Sequence, residues 1–280
     1  MKNKPWYGTR VALFIFCFLF ASVIMIQGNQ SVPQQSKQSL SKIEQIKAEG
    51  KLVIGTSPEY PPYEFRLLDD HEGDIVGLDI DIAKEIAKEL GVGLEIKTIV
   101  FHRLFKVLDA DEVDLVIAGL APSEGRKKLA DFSDIYWQAI QNMLIRAEDA
   151  GEITSLGDLR SKVVGTQKGS IQEDMVNQCV SGARFISRDS VNELIDDLVN
   201  KRIDAAILEK PVAESYVFKN KTLMNIECQS SVRGTLLGSA IAVKKGNKAL
   251  LEEINRILRK LKRENKISEF VEDAKILMHR

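Results

Sequence analysis

The chain has 280 residues, 44% of them hydrophobic, with 39 Lys and Arg against 40 Asp and Glu for a formal net charge of −1. That much apolar residue buries a core, which excludes a disordered tail, and the length suits one large or two modest domains. The near-zero charge argues against general affinity for nucleic acid.

At the N-terminus, Lys2, Lys4 and Arg10 precede an apolar run at 11–26 that only Ser22 interrupts. The run is long for a secretory core segment (about 7–15 residues) and short for a membrane span (about 17–25). It predicts export across a membrane, with cleavage and retention as an anchor both open. Ile26-Gln27-Gly28 fits a cleavage site poorly, and Cys17 lies inside the run, a position that does not suit a lipid anchor. Residues 28–41, rich in Gln and Ser, read as a flexible linker.

Residues 41–49 start a short amphipathic helix, 52–55 form a strand, and 56–65 (TSPEYPPYEF) form a loop with three prolines and three aromatics. In GLDIDIAKEIAKELG (77–91), Ile80, Ala83, Ile86, Ala87 and Leu90 share one helical face, and Gly91 caps the end. Residues 94–99 are a strand and 103–108 a helix. The stretch 113–126 (VDLVIAGLAPSEGR) is the focus of the chain. Its apolar, β-branched run at 113–118 reads as a buried strand, and Gly119 ends it. Ser123 is placed to cap the next helical turn, where Arg126 offers a planar fork that suits a carboxylate. Read without that context, Arg126 merely opens the solvated run Arg126-Lys127-Lys128.

After 131–136 the chain reads extended through 137–146. A second alternation follows: strands at 163–165, 183–186 and 203–208, with helices at 170–179 and 191–199 between them. Further strands are expected at 223–227 and 238–243, then helices at 247–262 and 268–277. The two halves echo each other. LVIGTS (52–57) is matched by KVVGTQ (162–167), and EVDLVIAG (112–119) by RIDAAILE (202–209), in the same order. The expectation is an α/β protein of two similar lobes, each with a mostly parallel sheet. The chain would cross near Trp137 and return near Arg233, and two extended crossings make a hinge. The expected segments are 1–41 (signal peptide or anchor plus linker), 42–137 (first lobe), 138–232 (second lobe) and 233–280 (return to the first lobe). Outside Cys17 the cysteines are Cys179 and Cys228, either a disulfide or two buried thiols.

Ligands of such folds gather at the carboxyl ends of strands. Those ends carry Ser57 and Tyr60; Phe101; Gly119, Ala121, Ser123 and Arg126; Gln167, Lys168, Ser170 and Ile171; and Glu209. Arg126 suits a carboxylate and Glu209 an ammonium, with Tyr60 and Phe101 as walls, which together describe the zwitterion of an α-amino acid. Taken singly, Glu209 with Lys210 also reads as an exposed turn pair, and the two aromatics as core. An enzyme finds less support. Of the three histidines His71, His102 and His279, none sits in a Ser-His-Asp order or an H-E-x-x-H motif. No paired-cysteine metal spacing, G-x-G-x-x-G or Walker loop is present.

GLDIDIAKEIAKELG, with TSPEYPPYEF before it and DLVIAGLAPSEGRKKLADFSDIYW after it, resembles the polar amino-acid-binding proteins of bacterial ABC importers; KVVGTQKGS and IDAAILEKPVA fit the same family's second lobe. The resemblance runs from about residue 43 to the C-terminus. It implies a type II periplasmic-binding-protein fold, an extracytoplasmic monomer without cofactor or metal, an amino-acid ligand and a membrane permease as partner. It gives the α-carboxylate to Arg126 and the backbone of Gly119 and Ala121, and the α-ammonium to Glu209, where the family often has Asp. Tyr60 and Phe101 would wall the side chain, and Gln167, Ser170 and Ile171 would close from the second lobe. Three positions depart from the family pattern: Ser57 where binders of basic amino acids place Asp, Ala121 where a hydroxyl residue is common, and Gly125 where Glu is frequent. An amino-acid sensor domain and a dehydratase-like enzyme share the fold and are the alternatives.

Overall fold

The computed structural model describes residues 40–67, 73–228 and 238–278. The expected export segment, most of the linker, Arg233, His71 and His279 lie outside the described residues. Among the described residues no helix is long and apolar enough to cross a membrane.

The first part of the chain runs α1 (Lys42–Glu49), β1 (Lys51–Thr56), β2 (Glu59–Tyr60), β3 (Glu64–Arg66), β4 (Ile75–Val76), α2 (Leu78–Leu90), β5 (Gly93–Thr98), α3 (Leu104–Asp109), β6 (Leu115–Val116) and β7 (Ala130–Phe132). The middle part runs β8 (Trp137–Gln138), β9 (Gln141–Arg146), β10 (Val163–Gln167), α4 (Ile171–Cys179), β11 (Arg184–Arg188), α5 (Val191–Val199), β12 (Ala205–Glu209), α6 (Lys210–Lys219) and β13 (Leu223–Glu227). The last part is β14 (Gly238–Ser239), β15 (Ala242–Lys244), α7 (Lys248–Arg263) and α8 (Lys266–Met278).

Among the described residues these strands build two five-stranded sheets of one design. The first has the order β5-β1-β6-β15-β7, and the second β11-β10-β12-β9-β13. In each, three parallel strands lead and an antiparallel strand follows. The two lobes are joined by the antiparallel pair β8–β14, which forms the two-strand hinge. The single strand expected at 238–243 is therefore two: Gly238–Ser239 belongs to the hinge and Ala242–Lys244 to the first sheet.

The sequence echo has a physical cause. Asp114 Oδ2 accepts the Val53 N–H at 2.8 Å, and the Asp114 N–H donates to the Val53 carbonyl at 2.8 Å. Asp204 repeats both bonds with Val163, each at 2.7 Å. In each lobe this Asp ties the start of a central strand to its parallel neighbour, using backbone groups that the ladder leaves unpaired.

The helices bury the faces that their periodicity predicts. Ile80, Ala83, Ile86, Ala87 and Leu90 of α2 are buried together with Leu250, Ile254, Ile257 and Leu261 of α7, so the C-terminal helices cover the first lobe. Gly77 begins α2 at φ +124°, and a Cβ there would lie 2.3 Å from the Tyr63 carbonyl oxygen. That close approach lets the N–H groups of Leu78 and Asp79 donate to the Pro62 and Tyr63 carbonyls at 3.0 and 2.9 Å. Two donors that an isolated helix start leaves orphaned are thereby satisfied, and Tyr63 is fixed against α2. Among the elements that the sequence does not announce are the β2–β3 hairpin inside TSPEYPPYEF and α6, which follows β12 without a loop.

Candidate functional site

The carboxyl ends of β1, β6, β10 and β12 converge between the lobes. A small cavity of about 20 Å³ lies there, lined by Tyr60, Phe101, Gly119, Ala121, Arg126, Gln167, Ser170, Ile171, Gln172 and Glu209. Sequence reasoning named all of these except Gln172. Its only sequence signal was its place in the first turn of a helix whose cap, Ser170, was already in the set.

Arg126 opens a 3₁₀ turn, Arg126–Lys128, and is buried at 8% exposure, so it is not the head of a solvated run. Ser123 does not line the cavity; its Oγ accepts the Arg126 N–H at 3.3 Å and so fixes where the turn begins. The Arg126 guanidinium donates to the Ala121 carbonyl at 2.9 Å and, across the cleft, to the Gly169 carbonyl at 2.9 Å. Its Cζ lies 5.3 Å from the Phe101 ring centroid. Burial pulls its pKa down from 12.5 to about 10, which leaves it charged at neutral pH.

Glu209 ends β12 and caps α6 by its backbone, and Pro at the first turn of α6 continues the chain directly. The residue is 2% exposed, so the reading as an exposed turn pair with Lys210 does not hold. Its carboxylate accepts the Tyr63 hydroxyl from the opposite lobe, and its N–H donates to Tyr60 Oη at 3.3 Å. Burial pushes its carboxyl up to about 8; the Tyr63 hydrogen bond and Arg126 oppose that shift, and Asp79 adds to it. Tyr60 and Tyr63 stack with centroids 5.6 Å apart.

Gly119 adopts φ +53°, and a Cβ there would meet the Tyr60 ring at 3.1 Å. Both facts require glycine. Its N–H, which the sequence reading gives to an α-carboxylate, donates instead to Asp79 Oδ2 at 2.8 Å. What Gly119 has left to offer a ligand is its carbonyl, an acceptor, which suits an ammonium. Asp79 also accepts the Tyr136 hydroxyl at 2.8 Å, and burial raises it to about 6. Glu64, 1% exposed, is raised well above the usual carboxylate range by burial and by Asp79. Glu209, Asp79 and Glu64 are thus three buried carboxyls in one neighbourhood, of which Glu209 lines the cavity.

Ser57 stands outside this cavity. A tight turn, closed by the Glu59 N–H on the Ser57 carbonyl at 2.8 Å, follows β1. Tyr60 then lines the cavity, whereas Ser57 lines a separate groove of about 420 Å³ with Glu59, Asp189 and Ser190. Of the two possibilities for the cysteines, the structure gives Cys228 as a free, buried thiol, its pKa pushed up to about 12 by burial. A Cys179–Cys228 disulfide is therefore not formed at Cys228; the side chain of Cys179 is not among those described.

Comparison with known proteins agrees with the fold. A model of the bacterial extracellular solute-binding proteins, family 3, matches residues 52–273. The arginine-binding extracellular protein ArtP of Bacillus subtilis is 39% identical over 224 residues, covering 76% of this chain and 85% of the relative. The L-cystine-binding protein TcyJ of Escherichia coli is 28% identical over 222 residues, 79% of this chain and 81% of the relative. Among solved structures, the amino acid ABC transporter substrate-binding protein AbpA of Streptococcus pneumoniae, bound to L-arginine, superposes with a TM-score of 0.81 at 34% identity. It covers 85% of this chain and 99% of the other.

Proposed function

The chain belongs to the bacterial extracellular solute-binding proteins, family 3, and from that premise we propose that it is a non-catalytic receptor for a polar α-amino acid, L-arginine being the first ligand to test. It captures the ligand outside the cell membrane by cleft closure and hands it to the permease of an ABC importer, acting as a monomer. The N-terminal apolar run at 11–26 serves export or anchoring in this reading. The lobes are taken as 42–137 with 233–280, and 138–232.

The observation that carries the reading is Arg126 on one lobe and Glu209 on the other, both more than nine-tenths buried and both lining one cavity. A zwitterion satisfies both. Its carboxylate replaces the Ala121 and Gly169 carbonyls on the Arg126 fork, a change from neutral to charge-assisted hydrogen bonds. Its ammonium replaces the Tyr63 hydroxyl on Glu209 and takes the Gly119 carbonyl as a second acceptor. Tyr60 and Phe101 form the walls, and Gln167, Ser170, Ile171 and Gln172 close from the second lobe. L-Arginine heads the candidates because ArtP and AbpA are named for it or bound to it. Glutamine and cystine belong in the same screen, because relatives named for binding them match the chain as well.

The test is isothermal titration calorimetry of the purified protein with the twenty amino acids and cystine. The expected result is a one-to-one isotherm with L-arginine or another polar member. Absence of heat and of thermal stabilisation across the whole panel would exclude the reading.

A further inference from the structure

We propose that Glu59 is a positioning residue that latches the closed cleft from outside the ligand cavity; the role rests on the receptor reading above. Glu59 sits on β2 of the first lobe. Its carboxylate reaches across the cleft to the start of α5 in the second lobe, where Oε2 accepts the Val191 N–H at 3.0 Å and the Ser190 hydroxyl. Ser190 is the N-cap of α5, its Oγ accepting the Glu193 N–H at 3.4 Å. Glu59 therefore acts as a second, foreign cap on a nine-residue helix of the other lobe, placing a negative charge at its positive end. On the same side, the Tyr216 hydroxyl of α6 donates to the Glu59 carbonyl at 3.0 Å.

All of these partners belong to the second lobe, so hinge opening separates every one of them from Glu59. Glu59 is absent from the cavity lining and instead lines the outer groove. Its contribution accordingly falls on the open–closed equilibrium and on ligand release, not on which side chain is selected. A receptor whose affinity equals an intrinsic affinity reduced by the fraction of closed-competent molecules loses affinity when that fraction drops.

The experiment compares the full chain with Glu59→Ala, Glu59→Gln, Ser190→Ala and the Glu59→Ala/Ser190→Ala double variant, each checked for folding by circular dichroism. Two readouts are taken: the distance between spin labels placed on exposed positions of the two lobes, without ligand, and stopped-flow association and dissociation of L-arginine. Losing an N-cap bond of this kind corresponds to roughly a 2- to 30-fold change in equilibrium. The expected result for Glu59→Ala is a shift toward the longer distance and faster dissociation in that range, with the ranking of amino acids unchanged. Glu59→Gln falls between it and the parent, and the double variant costs less than the sum of its parts because both single variants remove the same bond. A parent-like distance and dissociation rate in Glu59→Ala would overturn the latch, as would a changed ranking of amino acids. If the parent binds no amino acid, the receptor reading fails while the distance measurement still decides the latch.

Discussion

At the residue scale the proposed site rests on one buried cation and one buried carboxyl in opposite lobes. Replacing Arg126 with Ala leaves a bound carboxylate without its charged partner, at a cost of about 3–5 kcal/mol, or a thousandfold or so in affinity. Calorimetry on Arg126→Ala is expected to show that loss, and unchanged binding would remove Arg126 from the site. Gly119→Ala is expected to weaken binding by at least tenfold, because a Cβ at φ +53° presses on the Tyr60 ring that forms the cavity wall; titration with L-arginine measures it. The raised carboxyl of Glu209 gives a pH dependence whose sign is fixed. Below its ordinary value of 4.5 the group is protonated both folded and unfolded. From there to about 8 the unfolded chain releases the proton while the folded chain keeps it. The unfolded state then binds fewer protons, so stability falls as pH rises through this window and levels off above it. Denaturant unfolding of the ligand-free protein at pH 5 and pH 8.5 is expected to show that fall, with a shallower one in Glu209→Gln. Arg126 and Glu209 were legible because few residue types suit those charges at strand ends. The engagement of the Gly119 N–H by Asp79 was not, since it links positions forty apart in the chain.

At the element scale the lobes are held by recurring strand ties. Asp114 and Asp204 each accept a backbone N–H from the neighbouring parallel strand, and each is the fixed acid in its half of the internal echo. Asp114→Ala and Asp204→Ala should each destabilise the protein by about 1–3 kcal/mol, since each leaves a shielded N–H unpaired. Denaturant unfolding reads that directly, and a loss at only one position would mean that the two halves are not equivalent in this respect. Periodicity located α2, α5 and α7 well because each buries a continuous apolar stripe. It missed α6, whose polar and apolar residues are too mixed to show a stripe and whose start has no loop to announce it. It also missed the β2–β3 hairpin, because its two-residue strands are shorter than any period that a sequence displays.

For the whole molecule, function lies in the relation between two sheets of one design and the β8–β14 pair that joins them. A ligand that binds only the closed form stabilises it by mass action, about 2.7 kcal/mol at a hundred times its dissociation constant. A thermal-shift series with L-arginine, glutamine and cystine should therefore raise the melting temperature for the cognate member, and the same member should make the protein more compact in small-angle scattering. The sequence by itself determined the class, the two-lobe repeat and nearly all the residues at the strand ends, because local patterns of burial, capping and charge carry that information along the chain. Only the tertiary structure decided that Gln172 joins the cavity, that Ser57 lines a different groove, that the Gly119 N–H is taken, and that Glu59 grips the other lobe. Most of these depend on which remote segments fold together, within a lobe or across the cleft, and a linear order of residues does not encode a distance between its own remote parts.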